Sequence, residues 1–107
     1  MQSFDTDDRQ ITVCPADDLP SGSCRTIVLS DNRELALYNV NGEFYATDNF
    51  CPHKGALLAA CRLCDHVIEC DWHGWEFDVR TGECLTVPER LETYLVIVED
   101  GLIKVRV

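Results

Sequence analysis

The sequence has no apolar run that could cross a bilayer. Its longest ones are short, as at Tyr94–Val98, against the ~20 residues a spanning helix needs. Positive charge is also scarce. Nine Lys and Arg stand against nineteen Asp and Glu, a formal net charge of −10. Phosphate backbones require a basic surface, so nucleic acid is excluded as an expected partner. A basic protein surface is the expected one, although such acidity also serves solubility alone. The opening MQSFDTDDRQ has neither a basic n-region nor an apolar h-region, so no export signal is read and the cytoplasm is expected. There is no Gly-rich phosphate loop and no Ser-His-Asp set, and with only three histidines no catalytic site is expected. Repeats, linkers and low-complexity tracts are missing too, which predicts one domain over residues 1–107.

What the chain does have is cysteine, seven in all. An odd number without an export signal argues against a disulfide framework and for metal or redox chemistry. Strand signals are frequent and short. Ile11–Cys14, Cys24–Leu29, Glu34–Val40 and Phe44–Thr47 read as strands, the second and third joined across Asp31-Asn32. Asn41-Gly42 is a hairpin signal, because both residues tolerate positive φ. Residues 49–65 read as irregular. Val67–Cys70, Trp75–Val79 and Glu83–Val87 read as further strands, with a turn at Arg80-Thr81-Gly82 and a stop at Pro88. Thr93–Val98 and Leu102–Val107 close the chain as a hairpin around Asp100-Gly101. Leu57–Ala60 has the composition of one helical turn. The expected class is all-β, with antiparallel sheets and the chemistry carried on loops.

That chemistry centres on two segments, Cys51-Pro52-His53-Lys54-Gly55 and Cys70-Asp71-Trp72-His73-Gly74-Trp75. The pattern is C-x-H, sixteen residues, then C-x-x-H. A mononuclear structural zinc site groups cysteines with cysteines and histidines with histidines. Here each half supplies one thiolate and one imidazole. The mixture suits two metals shared between two loops, with both cysteines on one iron and both histidines on the other, as in a Rieske [2Fe-2S] centre. Gly55 and Gly74 allow the sharp turns that bring backbone N–H groups toward cluster sulfurs, and Pro52 restrains φ between two ligands. Ordinary turn chemistry is the alternative for these three residues, and it does not conflict with cluster binding.

The two segments, extended to Ala56 and to Glu76-Phe77-Asp78, resemble the two cluster-binding boxes of the Rieske family. The likeness continues through Thr81-Gly82 and the tail Thr93–Gly101, essentially the whole chain. It implies three antiparallel sheets, with a cluster-binding subdomain of roughly residues 49–88 inserted in a basal domain. It also implies one Rieske-type cluster, with Cys51 and Cys70 on the inner iron and His53 and His73 on the outer one, near solvent. Pro88 lies where the family often carries a third loop beside the cluster; a plain strand terminator is the alternative. In the bc-complex branch each box has an extra cysteine, and these form a disulfide. The matching positions here are Ala56 and Trp72. The serine that bonds a bridging sulfide in that branch is replaced by Trp75. The resemblance therefore points to soluble, low-potential ferredoxins that serve ring-hydroxylating oxygenases.

The expected function is one-electron transport from a flavin-dependent reductase to a terminal oxygenase, by a monomer with protein partners only. Two alternatives are the small subunit of an NAD(P)H-dependent nitrite reductase and a structural zinc module on the same four side chains. Cys61-Arg62-Leu63-Cys64 could be a redox pair or half a zinc site, but it lacks the βαβ setting of the former and is expected to have no fixed role. Cys14, Cys24 and Cys84 are expected as small apolar residues in strands. His66 is expected at a loop or strand edge. Trp72 and Trp75 either shield the cluster and touch partners or pack beneath the loop.

Overall fold

A computed structural model describes residues 10–29, 32–49, 62–69, 75–86 and 88–106. Ten strands make up nearly all of its regular structure: β1 (Gln10–Pro15), β2 (Cys24–Val28), β3 (Glu34–Val40), β4 (Glu43–Asp48), β5 (Arg62–Cys64), β6 (Val67–Glu69), β7 (Glu76–Asp78), β8 (Thr93–Tyr94), β9 (Val96–Glu99) and β10 (Leu102–Arg106). One 3-10 turn, Ala16–Asp18, follows β1. The strands form three antiparallel sheets, ordered β1-β10-β9, β2-β3-β4-β8 and β5-β6-β7.

The four-stranded sheet is the middle layer, and β3 shows why. Every residue from Leu35 to Val40 is buried. Side chains of a strand alternate between faces. Leu35 and Leu37 therefore join Ile11, Leu19, Ile27, Ile103 and Val105 in one core. Ala36, Tyr38 and Val40 point the other way and join Ile68, Phe77, Val79 and Leu91 in a second. The first core glues the middle sheet to β1-β10-β9, and the second glues it to β5-β6-β7. Burying one such side chain stabilises by about 1.5–3 kcal/mol.

Turn chemistry matches the sequence. Asn41 and Gly42 have φ of 53° and 89°, and Asp100 and Gly101 have 54° and 75°. Both pairs occupy the positive-φ positions of tight hairpins, whose twist suits the flanking strands. At the Asp31-Asn32 connection Asn32 also has positive φ, 70°.

Three expectations are corrected. Arg62–Cys64 is a strand rather than part of an irregular stretch, paired to β6 through a tight turn at Asp65, whose φ is 52°. It has only one apolar residue facing the core side, Leu63, so no alternation marks it. Of the expected strand Glu83–Val87, the described residues 83–86 do not form a continuous strand, and Val87 lies outside the described residues. They contribute single bridges, Phe77 to Cys84 and Glu83 to Arg90. Thr93–Val98 is two strands in two sheets. Tyr94 pairs with Ala46 while Val96 pairs with Val105. Leu95 is the crossing residue and is exposed. Nothing in an unbroken apolar run announces a change of sheet. The possible helical turn at Leu57–Ala60 lies outside the described residues.

Candidate metal centre

The four expected ligands, Cys51, His53, Cys70 and His73, lie outside the described residues, as do Ala56, Trp72, Gly55 and Gly74. The structure does describe what these segments are attached to. In the β5-β6-β7 sheet, Arg62 pairs with Glu69, and Glu69 pairs with Glu76. Residues 50–61 run into β5 at Arg62. Residues 70–74 leave β6 at Glu69 and return through Trp75 to Glu76. Both candidate boxes are thus joined to one end of one small sheet. The side chains of Ile68 and Phe77 at its centre are fully buried, so this end is fixed to the second core rather than cantilevered from it.

A third stretch meets the same end. The Leu85 N–H donates to the Glu76 carbonyl at 2.7 Å, and the Glu76 N–H donates to Thr86 Oγ1 at 3.4 Å. This brings the run leading to Pro88 alongside the start of β7. Leu85 itself is 58% exposed there, an apolar side chain the sequence pattern did not single out. Behind it, Gly82 has φ of +80°, and its Cα lies so close to the Leu91 carbonyl that a side chain would collide with it. Its carbonyl accepts from the Leu91 N–H at 2.7 Å and its N–H donates to the Asp78 carbonyl at 2.7 Å. A glycine is required to bring these two chain segments together.

On the other side the first box is preceded by Asn49, which is fully buried. Its Nδ2 donates to Thr26 Oγ1 at 3.2 Å and to Glu34 Oε1 at 3.3 Å. Sequence reasoning missed Asn49, reading it as the start of an irregular loop. The available signal was the parity of Tyr45, Thr47 and Asn49, which share one face of the β4 line.

The remaining candidates fall into place as structural residues. Trp75 is half-buried, packs against the second core, and has its ring 6.4 Å from that of Phe77. Its packing on the second core is what the described residues show of it. His66 sits in the β5–β6 turn, where its ring meets Tyr45 edge-on at 5.6 Å and its carbonyl accepts from the Val79 N–H. Asp78, beside it, bonds the Arg80 guanidinium at 2.8 Å, which holds its carboxyl below the usual range. Cys14 is buried in the first core, and burial pushes its thiol pKa up, as suits an inert apolar residue. Cys24 and Cys84 pack partly buried against the second core, Cys84 in a bridge rather than the strand expected for it. Cys64 is exposed at the end of β5. Among the described residues no three His, Cys, Asp or Glu side chains converge on a possible metal site. None of the helices among them is long and apolar enough to cross a membrane.

Known proteins resolve the family. The Rieske [2Fe-2S] domain family matches residues 9–98. The ferredoxin component of the p-cumate 2,3-dioxygenase system of Pseudomonas putida is 39% identical over 100 residues, 91% of this chain and 85% of that protein. The ferredoxin in a complex of reduced oxygenase and oxidized ferredoxin of carbazole 1,9a-dioxygenase superposes with a TM-score of 0.86 at 35% identity, covering 91% of this chain and 92% of that one. A putative NADH-dependent nitrite reductase small subunit from Mycobacterium tuberculosis superposes with a TM-score of 0.84 at 26% identity, covering 92% and 95%. Family membership implies one Rieske-type [2Fe-2S] cluster, and the donor chemistry of two thiolates and two imidazoles on segments joined to one sheet end fits that group. With its antiparallel sheets, its two Cys-and-His segments and these relatives, the chain belongs to the Rieske [2Fe-2S] domain family, as an electron carrier of the ferredoxin type.

Proposed function

We propose that Cys51, His53, Cys70 and His73 hold the cluster, thiolates on the inner iron and imidazoles on the outer. In this reading residues 49–88 form a cluster-binding subdomain of a single cytoplasmic, monomeric domain. The carrier takes one electron from a flavin-dependent reductase and passes it to a terminal, ring-hydroxylating oxygenase, each through a basic docking surface. The observation that carries the ligand reading is the pair of mixed boxes attached side by side through Arg62, Glu69 and Glu76. Topology supports the subdomain: β4 and β8 are neighbours, yet all of β5-β6-β7 lies between them in sequence. When bound, the cluster supplies reversible one-electron chemistry, and the protein supplies position and electrostatics.

The oxygenase partner is favoured over a nitrite reductase by identity among superposed structures, 35% to the carbazole dioxygenase ferredoxin against 26% to the nitrite reductase subunit. Family membership weighs against the zinc module in the same way. The expected result is two irons and two acid-labile sulfides per chain, with the visible absorption lost in His53→Ala or Cys70→Ser. Full colour and iron content in a Cys51→Ser, Cys70→Ser double variant would overturn the ligand set. For the partner, purified carrier should couple a flavin reductase to a ring-hydroxylating oxygenase. Coupling only to a sirohaem nitrite reductase would select the second reading.

A further inference from the structure

Three consecutive residues before the first box have their side chains held by different elements. Thr47 Oγ1 lies 2.9 Å from the Tyr38 hydroxyl on β3. Asp48 Oδ1 accepts from the Tyr94 hydroxyl on β8 at 2.7 Å. Asn49 Nδ2 reaches both Thr26 Oγ1 on β2 and Glu34 Oε1 on β3, and the Asn49 N–H donates to the Glu34 carbonyl at 3.1 Å. Thr47 and Asn49 are fully buried.

An amide side chain is a costly way to fill buried space, since it must recover its hydrogen bonds with water. What it provides instead is direction: donors and acceptors fix a side chain in a way that apolar contact does not. At Asn49 that direction is applied at a telling place. Only Phe50 separates it from Cys51, so the two Cα atoms can be no more than about 7 Å apart. Asn49 is the last described residue before Cys51 and so the nearest anchored point on that side of the box.

We propose that Asn49 is a positioning residue for the cluster. It pins the entry of the first box to β2 and β3, and so limits how far Cys51, and His53 beyond it, can move between redox states. This inference rests on the ligand reading above. Residues that orient metal ligands without touching the metal commonly change affinity about 10–100-fold when replaced.

The test uses the cluster-loaded protein. Asn49→Asp removes the donated N–H groups and sets a carboxylate against that of Glu34. Adding Glu34→Gln to Asn49→Asp restores one donor facing one acceptor, with the roles exchanged. Three quantities are read: the midpoint potential, the EPR line shape of the reduced cluster, and the rate of cluster loss to a chelator. Asn49→Asp is expected to lose its cluster about 10-fold faster, with a shifted potential and broadened EPR lines. The Glu34→Gln addition should recover most of each change. As a control, Ile103→Val, fully buried in the first core, is expected to lower stability without altering potential or line shape. If Asn49→Asp melts lower but keeps the parent potential, line shape and chelation rate, Asn49 is only structural and the proposal falls. Should Asn49→Asp not fold, Thr26→Ala with Glu34→Ala, which removes both side-chain acceptors of the Asn49 amide, is read on the same three quantities, a change supporting the proposal and no change overturning it. A parent protein without Rieske absorption or EPR overturns the ligand reading instead, so the two failures are distinct.

Discussion

At the scale of single residues, the departures from the bc-complex branch bear on redox potential. In the resemblance to the two Rieske boxes, Ala56 and Trp72 match the positions of that branch's disulfide, and Trp75 that of its serine hydroxyl. Fewer donors to the sulfides leave the reduced, more negative cluster less stabilised, which lowers the potential. The structure gives Trp75 another employment, packed against Phe77 and the second core. We expect a midpoint near the negative end of the Rieske range, on the order of −150 mV. Protein-film voltammetry giving a clearly positive value at neutral pH would contradict this. Tyr94 makes a second prediction. Burial and its hydrogen bond to Asp48 both raise the Tyr94 pKa. A group whose folded pKa is raised contributes stability that is fully present below its unfolded value, about 10 for tyrosine. That contribution is lost as pH rises through the folded value. Tyr94→Phe should therefore cost about 1–2 kcal/mol at neutral pH. The gap between the two proteins should narrow above about pH 10. Denaturant melts of both across pH 7 to 12 check it, and a gap constant with pH would show that the bond plays no part.

At the scale of elements, Gly82 joins the turn after β7 to the stretch before β8. Its positive φ alone costs an L-residue about 1–2 kcal/mol, and the Leu91 carbonyl occupies the space a Cβ would need. Gly42 has a comparable φ of +89° but nothing near its missing Cβ. Gly82→Ala should thus lower Tm well beyond Gly42→Ala, where each 1 kcal/mol is about 4–8 °C in a domain of this size. Equal losses, read by calorimetry, would mean that the chain yields easily at Leu91. The comparison also shows which elements were legible in the sequence. Turns such as Asn41-Gly42 and Asp100-Gly101 were, because backbone sterics act locally. So was β3, since a run of apolar residues at a strand's length reflects burial on both faces. Arg62–Cys64 was not, because a three-residue edge strand with one inward side chain has no period. The break at Leu95 was not, because its cause is the placement of two partner strands, Ala46 on one side and Val105 on the other. The ligand candidates were legible through chemistry rather than periodicity. Asn49 escaped because its partners, Thr26 and Glu34, are distant in sequence.

At the scale of the whole molecule, the proposed function makes charge a prediction about how partners are met. In the oxidised cluster the charges of two ferric ions, two sulfides and two thiolates cancel, and neutral imidazoles add nothing. The loaded protein therefore keeps its formal charge of −10, and one added electron takes it to −11. Two of its acidic residues, Glu69 and Glu76, face each other across β6 and β7 at the sheet end to which both boxes are joined, with Arg62 beside Glu69. Opposed carboxylates destabilise a strand pair slightly, and a basic partner surface would relieve that repulsion. Such a field steers encounter and raises association rates at low salt. Its reach shrinks as the Debye length falls from about 30 Å at 0.01 M to about 8 Å at 0.15 M ionic strength. Electron transfer from the reductase, or to the oxygenase, should therefore slow as salt rises when association limits the rate. Glu69→Gln with Glu76→Gln should flatten that dependence while leaving the high-salt rate little changed. Stopped-flow reduction across an ionic-strength series measures both. A rate that stays flat or rises with salt in the parent protein would show that apolar contact governs docking, with exposed Leu85 beside Glu76 the first side chain to test.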